Sequence, residues 1–161
     1  LTLDELRALP LHDGQLILTL EEALFCIDRK IQANIEIKSF DAAPAVVTVI
    51  NNFVDKYGWH YTDFLISSFD HRQLQYCKKY LPLVPCGALY FGVPLHYAQF
   101  ADALDVQFIC IEVEFVSKAF VADAHERGYK VLVFTVNDKT TLDHLRECNV
   151  DGVFSDYPDK L

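Results

Sequence analysis

The chain has 161 residues, 52% of them hydrophobic, and a net charge of -9. That length supports one domain over residues 1–161 with a sizeable core, and the acidic balance excludes a general nucleic-acid binder, which needs a basic patch. No run of about 18 apolar residues is present, which excludes a membrane-spanning helix.

The predicted elements alternate. Thr19 caps a helix over Leu20–Lys30, with Glu22 at the reciprocal position of a capping box. A strand follows at Ala33–Lys38. Pro44 then opens a helix over Ala45–Lys56 that shows Val46, Val47, Ile50 and Val54 on one face. A strand at Asp63–Ser68 leads into a helix at His71–Tyr80, capped by Ser68 or Asp70. Leu83–Leu89 and Gln107–Val113 are further strands, separated by an irregular, aromatic-rich segment over Tyr90–Ala103. Ser117 caps a helix at Lys118–Arg127 and Gly128 ends it. After a strand at Lys130–Val136, Asn137 or Asp138 caps Lys139–Cys148, and a short strand closes the pattern at Gly152–Ser155.

Strands alternating with helices define repeated βα units. Phe108–Ile111 and Val131–Phe134 are continuous apolar runs rather than alternating ones, as parallel strands covered on both faces require. The fold is either an open doubly wound sheet or part of a (β/α)8 barrel. No glycine-rich phosphate fingerprint follows any strand, which disfavours a dinucleotide-binding sheet. Polar residues gather at the carboxyl ends of the strands: Glu36 and Lys38, Ser67 and Ser68, Glu112 and Glu114, Thr135 and Asn137, Ser155 and Asp156. Barrel enzymes place their active sites on that rim.

The strand Asn34-Ile35-Glu36-Ile37-Lys38 is the most informative segment. Residues two apart share a face, so Glu36 and Lys38 stand together, opposite Ile35 and Ile37. Charges in such a strand are paired or bind an ion. Either this is a salt-bridged edge strand facing water, or Glu36 serves a metal and Lys38 an anion. The five cysteines, an odd number with no CxxC spacing, argue against a zinc site and for free thiols in a reducing, cytoplasmic setting. The chain has no signal peptide and no methionine at all, so it is expected to begin after processing or to be a piece of something longer.

Read outward from Ile35-Glu36-Ile37-Lys38, the chain resembles the glycerophosphodiester phosphodiesterases, whose ExK strand this would be. Leu1-Thr2-Leu3-Asp4-Glu5-Leu6 and Leu18-Thr19-Leu20-Glu21-Glu22-Ala23-Leu24 are similar to the family's "TLdEL" and "PTLEEAL" segments. Ser67-Ser68-Phe69-Asp70 resembles its "SF" motif, Phe134-Thr135-Val136-Asn137 its "WTVN", and Asp151–Pro158 its closing "vDGIxTDyP".

The resemblance implies a (β/α)8 TIM barrel, incomplete in this chain, with six of eight strands. The first two βα units, bearing the "HRG", "ENT", "ExD" and "HD" motifs, have no counterpart here, so neither catalytic histidine is assigned. His12-Asp13-Gly14 lies on the wrong side of the "TLdEL" segment to replace "HD" and reads as a turn. His60, His71, His96, His125 and His144 read as surface or packing residues.

By the same resemblance, Glu36 is a ligand to Mg²⁺ or Ca²⁺. Lys38 is catalytic and contacts a phosphate oxygen of the substrate. Phe134, in place of the family's tryptophan, is a substrate wall. The implied reaction is metal-dependent hydrolysis of a glycerophosphodiester to glycerol 3-phosphate and an alcohol. Residues 1–161 by themselves are expected to be inactive. Two alternatives stand beside this: a non-catalytic barrel-derived binding module, completed as a dimer or by a complementing chain, and a related barrel phospholipase of the sphingomyelinase D or phosphatidylinositol-specific phospholipase C kind. Glu112, Glu114, Asn137 and Asp156 are candidate rim residues, or simply solvated, capping and turn groups.

Overall fold

The structure, a computed structural model, describes residues 2–9, 11 and 14–161. The chain runs α1 (Leu3–Arg7), α2 (Leu20–Ile27), β1 (Ala33–Ile37), α3 (Ala43–Tyr57), β2 (Phe64–Ser68), α4 (His71–Tyr80), β3 (Cys86–Tyr90), β4 (Phe108–Glu112), α5 (Lys118–Glu126), β5 (Lys130–Phe134), α6 (Lys139–Glu147) and β6 (Gly152–Val153). The His12-Asp13 turn lies outside the described residues.

All six strands form one parallel sheet in the order β1-β2-β3-β4-β5-β6. Sequential parallel order with a helix or 3-10 segment after each strand is barrel winding, not the doubly wound alternative, whose strand order reverses at a switch point. The sheet curls into a half-barrel of TIM type.

Its outer face carries the main core. In β1, Ala33, Ile35 and Ile37 are buried while Asn34 and Glu36 are not, the two-residue alternation of a strand with one packed face. Ile35 and Ile37 belong to one apolar cluster with Val46, Ile50 and Phe53 of α3 and Leu24 of α2. An aromatic ladder extends it: the Phe53 and Trp59 rings meet edge to face at 6.0 Å, and Trp59 stacks on Phe64 at 4.8 Å.

Local signals set most element ends. Thr19 accepts from the Glu22 N–H while the Glu22 carboxylate accepts from the Thr19 N–H, the reciprocal capping box. Asp28 then takes up a left-handed conformation (φ 47°), so α2 stops at Ile27 rather than Lys30. Asp70, not Ser68, caps α4, accepting from the Arg72 N–H at 3.1 Å. Asp138, not Asn137, caps α6, accepting from the Thr141 N–H at 2.9 Å. Gly128 (φ 86°) closes α5 where a side chain would be strained.

Two boundaries differ from expectation for tertiary reasons. α3 begins at Ala43, ahead of Ala45, because its N-terminus is capped from another helix: Gln73 Oε1 accepts from the Ala43 N–H at 3.1 Å, and Gln73 Nε2 donates to the Phe40 carbonyl. β3 begins at Cys86, later than Leu83, because Leu83 is exposed and Pro85 has no N–H for the ladder. Pro85 contributes only its carbonyl, which accepts from Ile66 at 3.0 Å.

Candidate active site

The concave face of the half-barrel is built from every second residue of each strand. On β1 these are Asn34 and Glu36, with Lys38 just past its end; on β2, Leu65 and Ser67, with Phe69 just past its end. The register sets Glu36 beside Ser67 and Ser67 beside Gly87. Gly87 keeps this level narrow, since a Cβ there would lie 3.0 Å from the Cys110 sulfur. Burial of the Cys110 thiol pushes its pKa up to about 12.

Above that level the face opens. A cavity of about 280 Å³ is lined by Asn34, Glu36, Lys38, Ser67, Phe69, Leu89, Phe134, Thr135 and Phe154. A second hollow of about 530 Å³ shares Glu36, Lys38 and Phe69 and adds Phe40, Asp70 and Arg72. Glu36 and Lys38 thus stand on the ridge between two lobes. Lys38 Nζ lies 3.4 Å from Glu36 Oε2, with 32% of the Glu36 side chain and 76% of the Lys38 side chain exposed. Phe69 and Phe134 roof the inner lobe, meeting edge to face with ring centres 5.9 Å apart. In the outer lobe, Arg72 donates twice to Asp70, at 2.9 and 3.2 Å. These hydrogen bonds hold the Asp70 carboxyl below its usual range.

The loops above the rim are tied down. Ser68 Oγ donates to the Ile37 carbonyl at 2.7 Å and accepts from the Asp70 N–H at 3.1 Å, fixing the exits of β1 and β2 together. Asn137 accepts from the Asp156 N–H and donates to the Asp156 carboxylate, both at 2.9 Å, joining the exits of β5 and β6. Glu112 accepts from the Glu114 N–H at 2.7 Å, a local turn contact.

The structure brings Glu36, Lys38 and Phe134 to one cavity. None of the described histidines lines it. His71 stacks on Phe100 beside the Leu89 carbonyl, and His125 pairs with Asp151 at 2.9 Å. Sequence reasoning set Ser67 on the rim and Ser67 and Phe69 in a motif without assigning either a contact in the site, and passed over Asn34. The inward phase Leu65-x-Ser67-x-Phe69 is visible in the sequence, but a continuous apolar strand gives no sign of which phase faces inward.

The oxygen chemistry of Glu36 suits a hard divalent cation. Among the described residues, however, no group of three acidic, histidine or cysteine side chains comes together, so a complete cation site needs ligands beyond these.

A curled parallel half-barrel with charged side chains gathered at the carboxyl rim of its strands is the layout in which barrel enzymes place their active sites. The pattern of the Glycerophosphoryl diester phosphodiesterase family matches residues 1–160, and the chain belongs to that family. It is 28% identical over 153 residues to the glycerophosphodiester phosphodiesterase of Caldanaerobacter subterraneus subsp. tengcongensis, covering 92% of this chain and 61% of that protein. It is 24% identical over 168 residues to YhdW of Bacillus subtilis (strain 168), covering 98% of this chain and 69% of that protein. Among solved structures, an Oleispira antarctica phosphodiesterase in complex with the product sn-glycerol-3-phosphate superposes with a TM-score of 0.75 at 28% identity, over 86% of this chain and 57% of that one. A glycerophosphodiester phosphodiesterase from Parabacteroides distasonis shares the fold with a TM-score of 0.83 at 21% identity, over 98% of this chain and 68% of that one. The chain therefore spans roughly three-fifths to two-thirds of the length of these proteins.

Proposed function

We propose that residues 1–161, acting as one unit, supply the Glu36–Lys38 side of a site that hydrolyses glycerophosphodiesters to glycerol 3-phosphate and an alcohol. The observation that carries this is the pairing of Glu36 with Lys38 on the ridge of an aromatic-walled rim cavity, in a member of this family. The product named in the Oleispira antarctica complex supports the glycerophosphate side.

Lys38 sets its ammonium against a non-bridging phosphate oxygen. That contact strengthens as negative charge builds on the phosphoryl group, which makes it catalytic and not merely attractive. Phe134 and Phe69 exclude water from one side and present apolar faces to the glycerol carbons. Glu36 offers a carboxylate oxygen to Mg²⁺ or Ca²⁺, and such a cation when bound polarises the phosphate. Overall, water oxygen bonds to phosphorus, the phosphorus–oxygen bond to the alcohol breaks, and a proton goes to the leaving oxygen. The histidines that the family resemblance assigns to this proton transfer are supplied from outside the described residues, so residues 1–161 by themselves are inactive in this reading.

The outer edges of β1 and β6 have no partner strand among the described residues; further strands, of a complementing segment or a second copy, cover them. The free thiols suit a reducing compartment such as the cytoplasm. No described helix is long and apolar enough to cross a membrane.

The test is release of glycerol 3-phosphate from glycerophosphocholine by the intact protein, with and without a chelator. Chelator-sensitive release that Glu36→Gln abolishes supports the reading. Absence of release from a folded, metal-supplemented protein that also carries both histidines overturns it.

A further inference from the structure

Ser67 is 1% exposed, and its hydroxyl has no hydrogen-bond partner. A buried unpaired hydroxyl is costly, and such groups in native folds call for an explanation. Its surroundings narrow the choice. On the concave face, Ser67 is flanked along its own strand by Leu65 and Phe69. Across the sheet its partners in register are Gly87 on β3 and Glu36 on β1. Of these four neighbours, only Glu36 carries a polar side chain.

Glu36 in turn depends on Lys38. Among the described residues, the Lys38 ammonium at 3.4 Å is its charged partner. In the proposed reaction Lys38 turns to the phosphate and one Glu36 oxygen to the cation it would hold, so the carboxylate loses the contact that orients it and its other oxygen is open to a donor from the cavity floor. Asn34, two residues away on the same face, is exposed to solvent. Ser67 is buried at the floor of the cavity and has its donor unspent.

We infer that Ser67 is a positioning residue that takes over Glu36 when Lys38 engages the substrate phosphate. Its hydroxyl donates to the Glu36 carboxylate, holding that group in place and away from the ammonium. The ligand for this exchange is a phosphate monoanion or diester. The inference rests on the reading of Lys38 as the phosphate contact.

The experiment is a double-mutant cycle on the intact protein, with inorganic phosphate as probe. Calorimetric affinity is measured for the wild type, Ser67→Ala, Glu36→Gln and the double variant. Thermal midpoints establish that each is folded, and Ser67→Cys, close in shape but a weak donor, serves as a second variant.

Losing a hydrogen bond to a charged group corresponds to about a tenfold to hundredfold loss. Ser67→Ala and Ser67→Cys are expected to weaken phosphate binding by about that factor in the wild-type background and to have little effect beside Glu36→Gln. Ser67→Thr, which keeps the hydroxyl, is expected to restore most of the affinity. Unchanged phosphate affinity in Ser67→Ala, or an equal loss in both backgrounds, overturns the inference. Because binding is read without turnover, the coupling can hold in a protein that fails to cleave glycerophosphocholine. That result would overturn the proposed reaction alone.

Discussion

The rings of Phe69 and Phe134 touch edge to face, 5.9 Å apart, although one follows the end of β2 and the other ends β5. Three strand spacings separate those positions, about 14 Å in a flat sheet. The contact exists only because the sheet curls, and it closes one side of the cavity beneath it. An aromatic pair of this geometry contributes about 0.5–1.5 kcal/mol beyond the area it buries. Phe134→Ala and Phe69→Ala are therefore expected to raise KM for glycerophosphocholine more than they lower kcat, each by up to about tenfold. Steady-state kinetics checks this; a fall in kcat at constant KM would mean the rings act on chemistry rather than on substrate seating.

Glu36 and Ile37 are adjacent but face opposite ways, so they separate chemistry from folding. Glu36→Gln is expected to lower kcat/KM of the intact protein by about a hundredfold or more. Ile37→Val, in the packed layer beneath α3, should cost about 0.5–1.5 kcal/mol of stability with little change in rate. Parallel assays and urea titrations distinguish the two. Equal losses of activity would assign the strand to folding alone.

Thiol reactivity should divide the cysteines sharply. Cys26 is exposed, while Cys77, Cys86 and Cys110 are buried, and burial pushes their pKa values to about 11, 12 and 12. An aromatic disulfide reagent at neutral pH is expected to modify Cys26 quickly. Cys77, Cys86 and Cys110, three of the four buried thiols, should react only at the rate of unfolding. Rapid titration of all of them in native buffer would contradict this packing.

Acid should weaken the fold through its capping and bridging aspartates. Hydrogen bonds hold Asp70 and Asp138 below the ordinary value of 3.8, and those from Arg127 and the Ala98 N–H outweigh burial at Asp123 to do the same. Each has a lower pKa folded than unfolded. Its contribution is therefore complete above 3.8 and is lost as pH falls through the folded values. The stability gap between wild type and Asp138→Asn should be constant above pH 5 or so and shrink below about pH 4. Urea midpoints across that range test the sign.

The strands and helices were legible because each carries its own local signal. Continuous apolar runs marked β4 and β5, the Thr19–Glu22 pair marked α2, and Ser117 with Gly128 framed α5. Glu36 and Lys38 could be placed on one face by counting. What was not legible depends on neighbours distant in sequence. The buried hydroxyl of Ser67 becomes conspicuous only once Glu36 and Gly87 flank it, and Phe69 becomes a wall only when the sheet curls it onto Phe134. The choice between Asp70 and Ser68 as cap was open because Ser68 instead spends its hydroxyl on the Ile37 carbonyl, 31 residues away.

Gln73 has a consequence for the order in which the chain assembles. Ala42 offers α3 no side-chain cap; the amide of Gln73, on α4, takes the Ala43 N–H and grips the Phe40 carbonyl. The first turn of α3 is thus completed by a residue that arrives only when the next βα unit docks. A helix start that waits for its successor links neighbouring units into one cooperative step, so the loop bearing Phe40, on the outer lobe, is set only after β2 and α4 are in place.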